Sequence, residues 1–274
     1  MRILFIGDIV GKPGREMVCQ AVPGLICREQ LDLVLANAEN AAGGSGLTPA
    51  IYRELIAKGV DGITLGDHVY RRREIYSVLE SRSNIVKPAN LPPESVGREW
   101  AVVTARNVVQ VAFLCLLGRL FMQPADHPWH AADRVLGQIP ADVRIRLVDF
   151  HAEATSEMQL MGRHLDGRVA AVLGTHTHVP TADECVFPGG TAFQCAVGMT
   201  GPFDSIIGRR VDRVLETTLT SRPKKFEVAT DDSRLCGSII DVDEQSGKAI
   251  SICRLTVTEG DLPELEKLAS MHQA

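Results

Sequence analysis

Five short apolar runs in this chain each stop at a carboxylate, an amide or an imidazole. RILFIG (2–7) stops at Asp8, LDLVLANA (31–38) at Glu39-Asn40, and GITLG (62–66) at Asp67-His68. RIRLVDF (144–150) stops at His151, and VAAVLG (169–174) runs into Thr175-His176-Thr177-His178. Runs this short, rich in Val, Ile and Leu, read as buried strands; 84–87 adds another. They alternate with amphipathic stretches near 14–22, 49–58, 71–81, 129–138 and 156–164 that read as helices. Strands alternating with helices imply an α/β fold with much parallel pairing. Two regions break the rhythm and read as hairpins. In one, 100–105 and 108–117 flank Arg106-Asn107; in the other, 236–243 and 248–257 flank Glu244-Gln245-Ser246-Gly247. With no internal repeat and no low-complexity linker, a single domain over 1–274 is expected. In parallel α/β sheets the carboxyl edge of the strands is where ligands bind. The polar residues that end the five runs belong at that edge.

Composition narrows the function classes. A hydrophobic content of 45% and a charged content of 23% are ordinary for a globular protein with a sizeable core. A net charge of -5 argues against holding nucleic acid by bulk electrostatics. No stretch approaches the roughly 18 apolar residues of a membrane helix. The start, Met1-Arg2 and then Ile3-Leu4-Phe5-Ile6, is too short for a signal peptide, so the cytoplasm is the expected compartment. The seven cysteines are scattered and include no Cys-x-x-Cys, so reduced, mostly buried thiols are expected.

Each terminal residue has an ordinary explanation. Aspartates after strands cap helices or form turns, and loop histidines are often solvated. Five such explanations would have to hold independently, whereas one shared site accounts for all of them. The set is Asp8, Glu39, Asn40, Asp67, His151, His176 and His178, with no thiolate, which suits Mn, Fe, Zn or Mg. It is too many ligands for one catalytic ion with an open position. Two ions about 3.5–4 Å apart, sharing a carboxylate, use them economically. Such a centre clamps the attacking and leaving oxygens of a displacement at phosphorus and acidifies a bridging water. An imidazole beside the ions can protonate the leaving oxygen, and His68 is placed for that. The loop Ala41-Ala42-Gly43-Gly44-Ser45-Gly46 offers either an anion nest for a phosphate or a flexible loop without a ligand. Arg71, Arg72 and Arg73 form a basic face on the first turns of the helix near 71–81. They are solvated, or one of them, Arg71 being nearest, offsets the charge of Asp67 or meets a substrate phosphate. His127, His130, His164 and His272 end no apolar run and read as surface or satisfied residues.

With these residues in place, the chain resembles the calcineurin-like metallophosphoesterases, specifically the bacterial YmdB-type branch. The matching segments are ILFIGDIVGKPGR (3–15), ANAENAAGGSGLT (36–48), TLGDH (64–68), KPANLP (87–92), DFHAEATSE (149–157), GTHTHVPTADE (174–184) and VGMTGPFDSIIG (197–208). The resemblance implies a sandwich of two mixed β-sheets flanked by helices, with a dinuclear site at the sheet edge. Asp8, Glu39, Asn40 and His178 are then expected to hold one ion. Glu39 would bridge, Asp67, His151 and His176 would hold the other ion, and His68 would donate the proton. It further implies a phosphodiesterase that takes 2′,3′-cyclic nucleotides and carries two metal ions per chain, iron first, with manganese, magnesium or zinc as alternatives. A homo-oligomer, with no membrane partner, is also expected. The chain departs from the branch at Asp67, where the family carries Asn, at Val69-Tyr70-Arg71, and at Ala196, where a carboxylate able to orient an imidazole is usual. Two other functions compete: a phosphomonoesterase (nucleotidase) on the same metals, and a metal- and nucleotide-binding regulatory protein with little turnover.

Overall fold

The computed structural model describes residues 1–273, with side chains through Met271, so the reading of His272 falls outside the described side chains. In chain order the elements are β1 (Arg2–Ile6), β2 (Asp8–Ile9), α1 (Gly11–Arg28), β3 (Leu33–Asn37), α2 (Pro49–Ala57), β4 (Gly62–Thr64) and α3 (Tyr76–Ser81). Then come β5 (Ile85–Val86), β6 (Trp100–Thr104), β7 (Gln110–Leu117), α4 (Pro128–Leu136), β8 (Ile145–His151), α5 (Thr155–His164) and β9 (Ala171–Thr175). The last third holds β10 (Cys185–Val186), β11 (Ala192–Gln194), β12 (Met199–Pro202), α6 (Val211–Thr220), β13 (Ser233–Val242), β14 (Ala249–Thr258) and α7 (Leu262–Gln273).

Two mixed sheets result. One has the order β2-β12-β13-β1-β3-β4-β5, with β14 paired to β13; the other has the order β10-β11-β9-β8-β7-β6. β1, β3, β4 and β5 run parallel, as do β7, β8 and β9, so both sheets present carboxyl ends. Both expected hairpins form, as antiparallel β6–β7 and β13–β14.

The central strands β1, β3, β7 and β9 are mostly apolar because both of their faces are buried, the pattern of sheets covered on two sides. In β1, Leu4 and Ile6 pack with Val18, Val22 and Leu25 of α1, while Ile3 and Phe5 face the other sheet. In β7, Leu114 and Leu116 pack with α4 and α5 residues such as Val135 and Met161. Val111 and Phe113 pack between the sheets instead, with Leu147, Leu173, Leu33 and Leu35. The layers are therefore helix, sheet, sheet, helix.

Several elements differ from the sequence expectation. α6, α7 and the short strands β2 and β10–β12 were not among the expected elements; α6 is amphipathic but buries none of its residues, whereas α7 and the short strands depend on their neighbours. Gly24 of α1, for example, touches the backbone of Leu265 in α7. The helix expected near 71–81 starts later, as a 3-10 turn at Arg73–Ile75 leading into α3. The chain first turns at Gly66–Arg71, where the amides of Val69 and Arg71 donate to the carbonyls of Gly66 and His68. Arg71 and Arg72 thus precede the helix rather than lie on its first turns. Among the described residues no helix is long and apolar enough to cross a membrane.

Candidate metal centre

Asp8 opens β2 just beyond the end of β1, Glu39-Asn40 follow β3, and Asp67-His68 follow β4. From the second sheet, His151 ends β8, and His176 and His178 follow β9. All eight meet at one edge of the sandwich. Asp8, Glu39 and His151 are each 0% exposed. Three groups form there, Asp67–His151–His176, Asp8–Glu39–His151 and Glu39–Asp67–His68, with the donor atoms in each within 4.8 Å of one another. Asn40 joins them: its amide nitrogen donates to Glu39 Oε1 at 3.0 Å and lies 3.3 Å from His178 Nε2, while its oxygen lies 2.7 Å from His68 Nδ1. As a ligand beside Glu39 it would present the oxygen there, the reverse amide orientation. Gly66 is the residue that lets the two sheets come this close: a Cβ at that position would lie 2.4 Å from both Glu39 Oε2 and His151 Nε2.

Three carboxylates gathered out of water repel one another and need positive charge. In the protein alone the imidazoles supply it. Burial works against charge on Glu39, but the charge and hydrogen bond of His151, with those of His68, hold its carboxyl well below the usual range. Burial likewise opposes protonation of His151, and Glu39, Asp67 and Asp8 overrule it, raising the ring well above the ordinary imidazole range. His68 is raised in the same way: burial lowers it, and hydrogen bonding and charge from Glu39, with Asp67, more than reverse that. His176 moves down, through burial and the neighbouring charge of His151. One carboxylate oxygen lacks a hydrogen bond: Asp8 Oδ1 is buried, with His178 Nε2 at 3.8 Å and His151 Nδ1 at 3.9 Å, both beyond hydrogen-bond reach. An orphaned carboxylate oxygen among oxygen and nitrogen donors fits a hard or borderline cation.

Each candidate imidazole is fixed from behind, as metal-ligating histidines generally are. His151 Nδ1 lies 2.8 Å from Thr175 Oγ1, His176 Nε2 lies 3.3 Å from Glu153 Oε2, and His178 Nδ1 lies 2.9 Å from the Ile207 carbonyl. Ala196 offers no carboxylate, but these three acceptors hold the rings without it. His176 and His178 also adopt positive φ, 94° and 65°. Such conformations cost about 1–3 kcal/mol each in a non-glycine residue and concentrate at functional sites. The backbone amide of His176 donates to Asp8 Oδ2 at 3.0 Å, so the strained turn is also bonded into the cluster.

The glycine-rich loop does not form the nest. Its amides are consumed internally: Ala42 N–H donates to the Gly46 carbonyl, Gly44 N–H to Asn40, Ser45 N–H to Ala42, and Gly46 N–H to Glu39. Gly43 N–H donates to Ala41, leaving Gly43, Gly44 and Ser45 no free backbone N–H for a phosphate. Arginines tie the loop down through its carbonyls instead. Arg72 donates to Ala42 and Ser45, and Arg209 donates to Gly44. Arg71, the residue singled out in sequence, lines a pocket of about 440 Å³ together with Asp67, Tyr70 and Gln123. Among the described residues Asp67 pairs with His68, His151 and His176 and with no arginine. His127, His130 and His164 lie away from the cluster; His127 stacks on His130, and His164 pairs with Asp133.

One polar residue beneath the site has no signal at a strand end. Asp149 sits inside β8 and is 1% exposed. It accepts hydrogen bonds from Thr175, Thr64 and Asn37, and burial pushes its carboxyl up to about 6. The only sequence hint is an aspartate inside an otherwise apolar run.

The YmdB-like protein family model matches residues 4–255. The chain belongs to this family. It is 43% identical over 94% of its length, and 98% of the relative's, to the 2′,3′-cyclic-nucleotide 2′-phosphodiesterase of Bacillus subtilis. Among solved structures it superposes on a hypothetical protein from Thermus thermophilus with a TM-score of 0.89 and 42% identity, over 94% of this chain and 100% of that one. A novel phosphatase from Mycoplasma pneumoniae superposes with a TM-score of 0.87 and 31% identity, over 94% and 93% of the two chains. The YmdB-like chain thus has the expected two-sheet sandwich, and the enzyme class expected of it, a phosphoric ester hydrolase, is the class its named relatives carry.

Proposed function

We propose that this YmdB-like chain is a metal-dependent phosphodiesterase that opens small phosphodiesters of the 2′,3′-cyclic nucleotide type. The observation that carries the proposal is the convergence of Asp8, Glu39, Asn40, Asp67, His151, His176 and His178 on one edge, with Glu39 common to two of the ligand groups and Asp8 Oδ1 buried without a hydrogen bond. In this reading Asp8, Glu39, Asn40 and His178 would hold one cation, and Asp67, His151 and His176 a second, with Glu39 available to both. Iron is the first choice, and manganese, magnesium or zinc suit the same donors. Such cations supply Lewis acidity at the phosphoryl oxygens and a water acidified toward neutral pH. The chain's own groups do the rest. His68, half-buried and with its pKa raised by the hydrogen bond and charge of Glu39, is the group to deliver a proton to the leaving oxygen. The buried carboxylates of Asp8 and Glu39 hold fixed negative charge at the site. Arg71, which lines the pocket beside Asp67, would meet the substrate's charge. Work in the cytoplasm, by a single-domain chain assembled as a homo-oligomer, completes the reading and rests on the family and on the scattered cysteines. The test is metal analysis of purified protein paired with a panel of bis-(p-nitrophenyl) phosphate and 2′,3′-cyclic nucleotides. Two ions per chain and turnover of diesters are expected. Metal-loaded protein inert on every diester would overturn the proposal.

A second reading is favoured by the Mycoplasma pneumoniae relative, which is called a phosphatase. The same centre could act on monoesters. Relative rates on p-nitrophenyl phosphate and its diester decide between the two.

A further inference from the structure

The space between the two sheets is apolar for most of its length and then turns polar just under the metal centre. Interface-facing positions alternate along each strand. In β8 they are Ile145, Leu147, Asp149 and His151, and in β9 they are Ala171, Leu173 and Thr175. From the other sheet, Leu33, Leu35 and Asn37 of β3 and Thr64 of β4 continue the same layer. Asn37, Thr64, Asp149 and Thr175 are each at most 1% exposed and contact one another across the sandwich. No packing need puts a carboxylate there; an apolar residue would continue the layer at lower cost.

The hydrogen bonds in this plug have only one consistent direction. Thr175 Oγ1 lies 2.6 Å from Asp149 Oδ1, and a carboxylate only accepts, so the threonine proton points at Asp149. Asp149 Oδ2 is already engaged by the Thr64 hydroxyl at 2.5 Å and the Asn37 amide at 2.9 Å. Having spent its proton, Thr175 Oγ1 can only accept from His151 Nδ1, 2.8 Å away. His151 therefore carries a proton on Nδ1. Nε2, which lies 3.2 Å from Asp67 and 3.4 Å from Glu39, is the nitrogen left to bind.

We propose that Asp149, acting through Thr175, is the positioning residue that fixes the tautomer and orientation of His151 as a metal ligand. The inference rests on the metal-centre reading above. The same plug, bonded to both sheets, also holds their registers together under the site: Asn37 accepts from the amide of Glu39 at 3.1 Å while donating to Asp149.

Thr175→Val keeps the shape of the side chain and removes both halves of the relay. Titration of metal-free protein with Mn²⁺, followed by calorimetry, should show affinity about 10–100-fold weaker for Thr175→Val, the usual size of such supporting effects. Thr175→Ser, which restores the hydroxyl, should recover wild-type affinity. Asp149→Asn should weaken Mn²⁺ binding in the same range. A measurement on the wild type needs no variant to fold. In ¹⁵N-labelled protein loaded with Zn²⁺, the His151 ring should show a slowly exchanging Nδ1–H and a metal-bound Nε2. Unchanged Mn²⁺ affinity in folded Thr175→Val, or a His151 ring bound through Nδ1, overturns the relay while leaving the metal centre intact. Wild-type protein that takes up no Mn²⁺ overturns the metal centre and the relay together.

Discussion

Gly66→Ala is the most incisive single change. A Cβ at Gly66 would stand 2.4 Å from Glu39 Oε2 and from His151 Nε2, about 1 Å inside the 3.4 Å at which ordinary contact begins. Neither neighbour is free to retreat. Glu39 is 0% exposed and its Oε2 accepts the His68 amide at 2.9 Å, while His151 is 0% exposed and pinned by Thr175 at 2.8 Å. The methyl therefore pushes apart the two residues that bring the sheets together at the site. Overpacking of this kind costs about 1–3 kcal/mol of stability. A 1 Å displacement of catalytic groups costs on the order of 10²-fold in rate. Thermal unfolding, metal content and kcat/KM on a cyclic diester, measured together, check the expectation of a modestly destabilised protein with depleted metal and much reduced turnover. Gly137→Ala is the control, because a Cβ there meets nothing closer than 3.5 Å. If Gly66→Ala retains wild-type metal content and rate, Glu39 and His151 do not form the centre described here.

Other outcomes follow from the same geometry. His68→Ala should lower diester turnover by about 10²–10⁴-fold with bound metal unchanged, as read by metal analysis and steady-state kinetics. The pKa of His151 is raised in the metal-free fold, so its proton stabilises that form. That stability is fully present below the unfolded imidazole value of about 6.5 and is lost as pH rises through the higher folded one. A cation must displace the same proton, so the thermal shift produced by Mn²⁺ should grow with rising pH; a pH-independent shift would contradict it. Arg72→Ala should release the 41–46 loop, seen as faster amide exchange there, because Arg72 ties the Ala42 and Ser45 carbonyls. Arg71→Ala should leave that exchange unchanged and raise KM.

The division between what was legible in the sequence and what was not follows strand geometry. A parallel sheet puts the residue that ends each apolar run at one edge, and punctuation of that kind can be read directly from Asp8, Glu39, Asp67, His151 and His176. The hairpins around Arg106-Asn107 and Glu244–Gly247 were equally readable, since their turn residues act locally. Asp149 was not. Its role comes from alternation inside β8 and from a second sheet that supplies Asn37 and Thr64, and no local pattern encodes which sheet a strand will face. The glycine-rich loop misleads for the same reason: glycines announce unusual backbone, but only the fold determines whether the amides turn outward or, as here, inward. The arginines after His68 likewise exchange roles, because turns at Gly66–Arg71 delay the helix and send Arg72 to the loop. The candidate ligand set was therefore written in the order of residues along the chain. Its supporting polar layer, its bonded loop and the strained turn at His176 and His178 were decided by how two sheets pack face to face, where contact depends on distance in space and not on distance in sequence.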